Sequence, residues 1–277
     1  METVSFDAYL AQLSPQASVA VSLETLSALQ LAHTSTFAFQ SLSTVLHQDI
    51  ALDVPTLFQK IVVGHQGGHC FELNGLFLRL LQHLGFEARA ITGRVVSDNN
   101  PALPHARTHM ALLVSLYGQA YLVDVGFGGW VPTAPLQLLN PEAQATPHGL
   151  YRIQNIGNEF VLSVRMGEEW RMLYAFDLQK IQEIDLEVAN WFVTTHPKSP
   201  FRTRLMAART EANGKRHALL NTRYSIHTQG QPSEQHVLHN ADEVVQLLKQ
   251  VFKINVPTSA QVHDGVSKFL KQLPPTT

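Results

Sequence analysis

The sequence predicts an α+β fold in three parts: helices first, strands next, and a mixed closing segment. Three observations carry this expectation. A helical apolar period runs as far as Leu84, strand-like runs separated by turn signals replace it after Gly85, and a well-marked helix stands near the carboxyl end.

In chain order, Leu23, Leu26, Leu29 and Leu31 suggest an amphipathic helix with Ser22 as its N-cap. Pro55 marks the start of a second helix through residues 57–63. The clearest element covers residues 70–84. Leu73, Leu76, Phe77, Leu80, Leu81 and Leu84 fall on one continuous helical face, and Gly85 supplies the C′ stop. Residues 86–96, 108–116 and 120–125 are then rich in strand-forming and small apolar side chains, and 151–165 offers further strands. Asn240-Ala241-Asp242-Glu243 resembles a capping box ahead of a final helix with Val244, Val245, Leu248 and Phe252 on one face. The pattern fits an α-helical subdomain, a β-barrel or sandwich, and a closing α/β segment.

A chain of 277 residues with 45% apolar and 15% charged side chains buries a substantial core. A net charge of −2 gives no global attraction to nucleic acid or to an anionic membrane. No run is long and apolar enough to span a bilayer, and Met1-Glu2-Thr3-Val4-Ser5 lacks the features of a secretory signal. A single cysteine excludes an internal disulfide framework and a cysteine-based zinc site. The expected location is the cytoplasm, where a lone thiol stays reduced.

That cysteine carries the chemistry. Gly67-Gly68-His69-Cys70 sits immediately before the long helix, so the thiol lies at or inside a first turn whose unpaired N–H groups favour a thiolate. The glycine pair leaves room for a substrate to approach the backbone closely. A small buried hydrophobe is the ordinary fate of an isolated cysteine. The glycines, the histidine and the helix start together favour a nucleophile.

A thiol nucleophile needs a base, and the base needs an orienting partner. Residues 108–112 and 121–128 read as two strands around a turn at Tyr117-Gly118, in which facing residues have numbers that sum to 235. His109 then lies opposite Gly126, with Asp124 on the same face and within diagonal reach. An aspartate in so apolar a run is costly to bury unless paired. The expected arrangement has Asp124 accepting from Nδ1 of His109, leaving Nε2 toward the sulfur, as in a serine-protease triad.

These residues match a family pattern. Gly67-Gly68-His69-Cys70-Phe71-Glu72-Leu73-Asn74 resembles the arylamine N-acetyltransferase signature R-G-G-x-C-x-E-x-N. Thr108-His109-Met110 and Val123-Asp124-Val125-Gly126-Phe127-Gly128 resemble its histidine and aspartate strands. Phe39-Gln40-Ser41-Leu42 stands in the place of P-F-E-N-L, and residues 195–201 resemble T-H-P-x-S-x-F.

The resemblance implies an N-terminal helical bundle over residues 1–88, a central β-barrel over 89–192 and a C-terminal α/β lid over 193–277. These would surround a Cys-His-Asp core like that of cysteine proteases. It implies acetyl transfer from acetyl-coenzyme A to arylamines by a ping-pong reaction, with arylhydrazines and N-hydroxyarylamines as further acceptors and no metal. Carried over by residue, Cys70 is the acetylated nucleophile, His109 the base and later acid, and Asp124 the orienter. Phe39, Phe127 and Thr108 match substrate positions, and Phe201 and Thr108 match coenzyme positions. Gln66 replaces the arginine before the glycine pair, and Ser41 the asparagine of P-F-E-N. Both family groups help hold the active-site segments together, so their loss bears on rate and packing.

Two other readings compete. A Cys-His-Asp set also serves cysteine hydrolases of thioesterase or amidase type, with water as second acceptor. The 14 histidines include His65-x-x-x-His69 and His105-x-x-x-His109, which invite a metal site. Neither is an H-E-x-x-H helix, and the second adjoins Pro104. Lys198, Arg202, Arg204, Arg209, Lys215, Arg216 and Arg223, with Glu211 the only acid among them, form a basic stretch suited to the coenzyme's phosphates.

Overall fold

The structure, a computed structural model, describes residues 4–13, 19–96, 99–103, 105–257 and 260–273. Met1 to Thr3 and Pro104, which entered the arguments on a signal segment and a metal site, lie outside them.

Helix α1 (Phe6–Leu13) packs Tyr9 and Leu13 inward. Helix α2 (Leu23–Thr36) starts where Ser22 Oγ accepts the Thr25 N–H at 3.2 Å. Its buried face runs through Leu26, Leu29, Gln30 and His33, and Leu31 is only half-buried. Five residues beyond Leu26, Leu31 has rotated off that face, while Gln30 and His33 fall on it. Strand β1 (Phe39–Gln40) and a single turn, α3 (Leu42–Val45), come next. Helix α4 (Val54–Phe58) is capped by Asp53, has Pro55 in its first turn, and continues as a π-helical turn over Gln59–Val63.

Helix α5 (Cys70–His83) buries Leu73, Leu76, Phe77, Leu80 and Leu81 completely. Burial of such side chains stabilises by about 1.5–3 kcal/mol each. The helix stops as expected at Gly85, with φ +91°. The Gly85 N–H reaches Gln82 O at 3.1 Å and the Phe86 N–H reaches Leu81 O at 2.9 Å, a Schellman closure.

The chain then becomes β2 (Glu87–Val95), β3 (Arg107–Leu116), β4 (Gln119–Val123), β5 (Leu136–Gln137), β6 (Gln144–Thr146), β7 (Gly149–Ile156), β8 (Glu159–Met166) and β9 (Glu169–Phe176). They form one antiparallel sheet in the order β5-β4-β3-β2-β9-β8-β7-β6. The sheet curls into a nearly closed barrel around a single core. Leu122 of β4, Leu136 of β5, Tyr151 of β7, Leu162 of β8 and Tyr174 of β9 all pack in it. One shared core selects the barrel over the sandwich.

Helix α6 (Glu183–Thr195) spans the division expected after residue 192. Next come α7 (Pro200–Thr203), β10 (Met206–Thr210), β11 (Lys215–Leu220), β12 (Arg223–Thr228) and β13 (Glu234–Val237). Strand β1 joins them in a second antiparallel sheet, β1-β10-β11-β12-β13, so the early chain is stitched to the late chain. Helices α8 (Ala241–Gln250) and α9 (Ala260–Gln272) cover this sheet. Val244, Leu248, Phe252, Val266 and Phe269 share a core with Ala207, Leu219 and Tyr224. The expected final helix is therefore followed by another. Its cap also differs in detail: Glu243 accepts from the His239 N–H at 2.7 Å, one residue ahead of the N-cap Asn240. Among the described residues no helix is long and apolar enough to cross a membrane.

Candidate active site

Cys70 is the first residue of α5 and is buried. The loop before it runs against β1: the Gln40 N–H reaches Gly68 O at 2.9 Å, and the Gly68 N–H reaches Ala38 O at 3.2 Å. Gly67 has φ +65°, and a Cβ there would stand 2.2 Å from Ala38 O. Gly67 thus admits the chain's own segment 38–40 and Gly68 the Glu72 side chain, where the sequence had suggested room for a substrate.

Other groups take over from the missing arginine and asparagine. Ser41 Oγ donates to Arg204 O at 2.9 Å and accepts the Met206 N–H at 2.8 Å, tying β1 to β10. Gln40 Oε1 accepts the Ser43 N–H, and its Nε2 donates to Gln66 O at 3.3 Å. Glu72 accepts the His69 N–H at 2.9 Å and pairs with Lys60. The segments around Cys70 remain fastened despite both departures.

His109 lies in β3, opposite Gly93 of β2. Just beyond, Arg94 faces Arg107, so Thr108 is the extra residue of a bulge. Its carbonyl consequently faces the active-site thiol, with Cys70 Sγ donating to Thr108 O at 3.8 Å. The β3–β4 register sums to 235 from Leu116↔Gln119 to Leu112↔Val123, as expected. The ladder stops there, and His109 and Gly126 are not strand partners. Asp124 follows the last residue of β4 and turns inward.

The Asp124 carboxylate is wholly buried and accepts from four groups. Oδ1 takes Asn74 Nδ2 at 3.0 Å and the Gly126 N–H at 2.8 Å. Oδ2 takes His109 Nε2 at 2.7 Å and the Tyr174 hydroxyl at 3.0 Å. This set offsets the desolvation of a buried charge. It also corrects one expectation: Nε2, not Nδ1, faces Asp124. The side chain leaves β3 with its ring tip toward the aspartate, so Nδ1 is the nitrogen available to the sulfur.

Burial pushes the Cys70 thiol up, but the His109 imidazole, and then that of His69, bring it down to about 6. Burial pushes His109 down, and the Asp124 charge and hydrogen bond, with the thiol, lift it to about 10. Both shifts favour one state, a thiolate beside an imidazolium.

Phe127 stands edge-on to His109 with ring centroids 5.0 Å apart, and Tyr174 lies 4.6 Å from the same ring. Phe39 and Phe201 meet edge to face at 6.0 Å, and Phe201 also contacts His69. The expected aromatic residues therefore fall in two groups, one on His109 and one on the nucleophile loop. Arg209 and Arg216 are engaged within the protein. Arg209 bonds Ser35 O and Val251 O, and the buried Arg216 bonds His148 O, Val131 O and the Tyr151 hydroxyl. Lys198, Arg202 and Arg204 remain as cations close to Phe201 in sequence. Among the described residues no group of three His, Cys, Asp or Glu side chains is arranged to hold a metal.

Three contributors escaped the sequence reading. Asn74 bridges Asp124, Met110 O and the Val125 N–H. Gln30 donates to Asp124 O and Pro132 O. Tyr174 donates to Asp124 Oδ2. Asn74 stands in the matched signature, and Gln30 is a polar side chain on an apolar helix face, so both left a signal. Tyr174 left none, because β9 had no recognisable boundary.

Comparison with known proteins follows the same lines. A family model described as N-acetyltransferase matches residues 22–262. The arylamine N-acetyltransferase of Escherichia coli K12 is 37% identical over 90% of this chain and 88% of its own. An arylamine N-acetyltransferase / N-hydroxyarylamine O-acetyltransferase of Salmonella typhimurium is 38% identical over the same shares, 90% and 88%. The structure of Mycobacterium marinum arylamine N-acetyltransferase in complex with CoA superposes with a TM-score of 0.89 and 36% identity, covering 96% of this chain and 98% of that one.

Proposed function

Because this chain belongs to the arylamine N-acetyltransferase family, we propose that it carries acetyl groups from acetyl-coenzyme A to arylamine nitrogen as a thioester on Cys70, with His109 and Asp124 completing the machinery. The chain is an acyltransferase, and acetyl-coenzyme A is its co-substrate. The Salmonella relative's name extends the acceptors to N-hydroxyarylamines, whose oxygen takes the acetyl group. The relatives' names do not favour the hydrolase alternative.

The observation that carries the catalytic reading is the buried series Asp124, His109, Cys70, held by the 2.7 Å Nε2–Oδ2 hydrogen bond. Nδ1 of His109 takes the thiol proton, and the thiolate attacks the acetyl carbonyl. The Cys70 N–H, at a helix start and without an intrahelical partner, is suited to receive the oxyanion. The carbon–sulfur bond of the coenzyme breaks, and Nδ1–H returns the proton to the departing thiolate. An arylamine, largely neutral at pH 7, then attacks acetyl-Cys70 through its lone pair. Its proton passes to Nδ1 as the Cys70 sulfur leaves, which restores the ion pair.

Half-buried Phe127 and buried Phe39 suit a flat apolar acceptor, ring contacts of this kind adding about 0.5–1.5 kcal/mol each. Thr108 lies at the bulge beside the thiol, within reach of either substrate. Phe201, with Lys198, Arg202 and Arg204 nearby in sequence, suits the coenzyme. A lone cysteine that must stay a thiol fits the cytoplasm.

Intact-mass analysis after mixing with acetyl-coenzyme A alone tests this directly. One acetyl group on Cys70, absent in Cys70→Ala, is expected, together with parallel lines in two-substrate kinetics. Intersecting lines with unmodified protein would mean direct transfer and overturn the thioester.

A further inference from the structure

The mechanism uses one imidazole, yet a second buried one adjoins the nucleophile in the chain. His69 immediately precedes Cys70 and is 0% exposed. Neither of its ring nitrogens has a hydrogen-bond partner. A buried imidazole left unpaired is costly to desolvate, and such a group in a native fold calls for an explanation.

The ring's surroundings define that use. Phe71 and Phe201 both meet it edge to face, with centroids 5.9 Å away. They hold its orientation and offer no hydrogen bond. Glu72 Oε2 stands 3.7 Å from Nε2, and that carboxylate is already engaged by the His69 N–H and by Lys60. The remaining titratable neighbour is Cys70, which His109 and, behind it, Asp124 approach from β3 and the end of β4. His69 adjoins Cys70 in the chain, its ring is buried with both nitrogens free, and it is among the groups that lower the thiol.

We propose that His69 is a second imidazole acting on the Cys70 sulfur, giving the thiolate a hydrogen bond that is independent of His109. The inference rests on the reading of Cys70 as nucleophile. A ring N–H turned to the sulfur adds a donor that the His109–Asp124 pair does not supply. The thiolate then keeps a donor when His109 turns its proton toward the departing coenzyme. Cys70 also meets the same donor when it leaves in the second half-reaction. The arrangement adds no atom to the chemistry. It changes which sulfur charge the site tolerates, and for how long.

The test is the pH profile of Cys70 alkylation by iodoacetamide, which needs neither acetyl donor nor amine. His69→Phe, which keeps the aromatic packing, should move the midpoint upward by about one pH unit, equivalent to about a tenfold loss of thiolate on the acid side. His69→Gln, which restores an N–H donor, should return the midpoint toward that of the unmodified protein. In His109→Gln the midpoint should stay below that of a free thiol, and only the double variant with His69→Phe should reach ~8.5. A His69→Phe profile that overlays the parent's overturns the inference and leaves the nucleophile reading standing. A parent profile already at the free-thiol midpoint overturns that reading instead. If His69→Phe does not fold, His69→Leu measured beside His69→Gln decides: equal midpoints overturn the inference, and a higher one in His69→Leu supports it.

Discussion

Nε2 of His109 lies 2.7 Å from Oδ2 of Asp124, so the ring presents Nδ1 to the Cys70 sulfur. The same carboxylate oxygen also takes the Tyr174 hydroxyl, and the other is filled by Asn74 and the Gly126 N–H. Every lone-pair direction of this buried charge is thereby spoken for, and the imidazole has one orientation.

Asp124→Asn keeps the shape but can present an N–H to Nε2, which favours the tautomer with the proton on Nδ1 and blocks proton transfer from the thiol. A loss of several orders of magnitude in acetylation is expected, comparable with the ~10⁴-fold loss on the same change in a serine-protease triad. Melting temperature and acetylation rate are measured on one preparation. A variant that melts earlier yet acetylates Cys70 at a near-normal rate would reduce the machinery to a Cys70–His109 dyad.

Tyr174→Phe removes one of two donors to Oδ2 without opening a large cavity. A hydrogen bond to a charged group contributes about 1.5–3 kcal/mol, so acetylation should fall by roughly ten- to a hundredfold while Cys70 stays reactive. Single-turnover acetylation checks this, and an unchanged rate would make Tyr174 a packing residue only.

The pH profile of acetylation should be bell-shaped. Cys70 is lowered to about 6, so below that pH the thiolate is lost. His109 is raised to about 10, so above that pH the proton for the departing coenzyme is lost. Stopped-flow acetylation across this range measures both limbs; an acid limb near ~8.5 would show an unassisted thiol.

Gly67→Ala should damage the site from outside it. The residue sits at φ +65°, and the added methyl would fall 2.2 Å from Ala38 O. Strain of ~1 kcal/mol or more is expected from the backbone alone, with further loss as the segment bearing Phe39 is pushed away from the nucleophile loop. Denaturant unfolding and acetylation rate should both worsen, and a neutral result on both would show that the loop relaxes freely.

His33 supplies a pH dependence remote from the chemistry. Burial among Tyr9, Phe37 and Phe77 lowers it from 6.5 to about 3. The folded chain holds this ring neutral where the unfolded chain protonates it, so stability falls as pH drops below 6.5 toward 3. His33→Leu should abolish that contribution, up to about 1.4 kcal/mol per pH unit within the window. Urea unfolding at pH 5 and pH 8 reads it: the variant should gain relative to its parent at the lower pH. An identical difference at both values would show His33 to be protonated in the fold.

Local signals determined a good part of this molecule. The face of α5 and its stop at Gly85 follow from a 3.6-residue period and one left-handed glycine. The β3–β4 register follows from the turn at Tyr117-Gly118, because a tight turn fixes every pairing behind it. The nucleophile's place at a helix start was legible for the same reason: it lies within one element and its cap. The matched motif residues made the triad and its aromatic neighbours nameable.

Tertiary structure decided what depends on contacts without a local period. Which nitrogen of His109 meets Asp124 is set by how the strand and the turn after β4 face each other, and no spacing encodes a ring's rotation. Tyr174 reaches Asp124 from fifty positions away, on a strand that only the barrel's closure identifies. Ser41 fastens β1 to a backbone more than 160 positions later, so its role could not be read beside its neighbours. Gly67 leaves room for a strand segment and Gly68 for the Glu72 side chain, neighbours invisible until both are packed against the loop. A period or a turn is a property of adjacent residues. Satisfying a buried carboxylate is a property of whatever the fold brings to it.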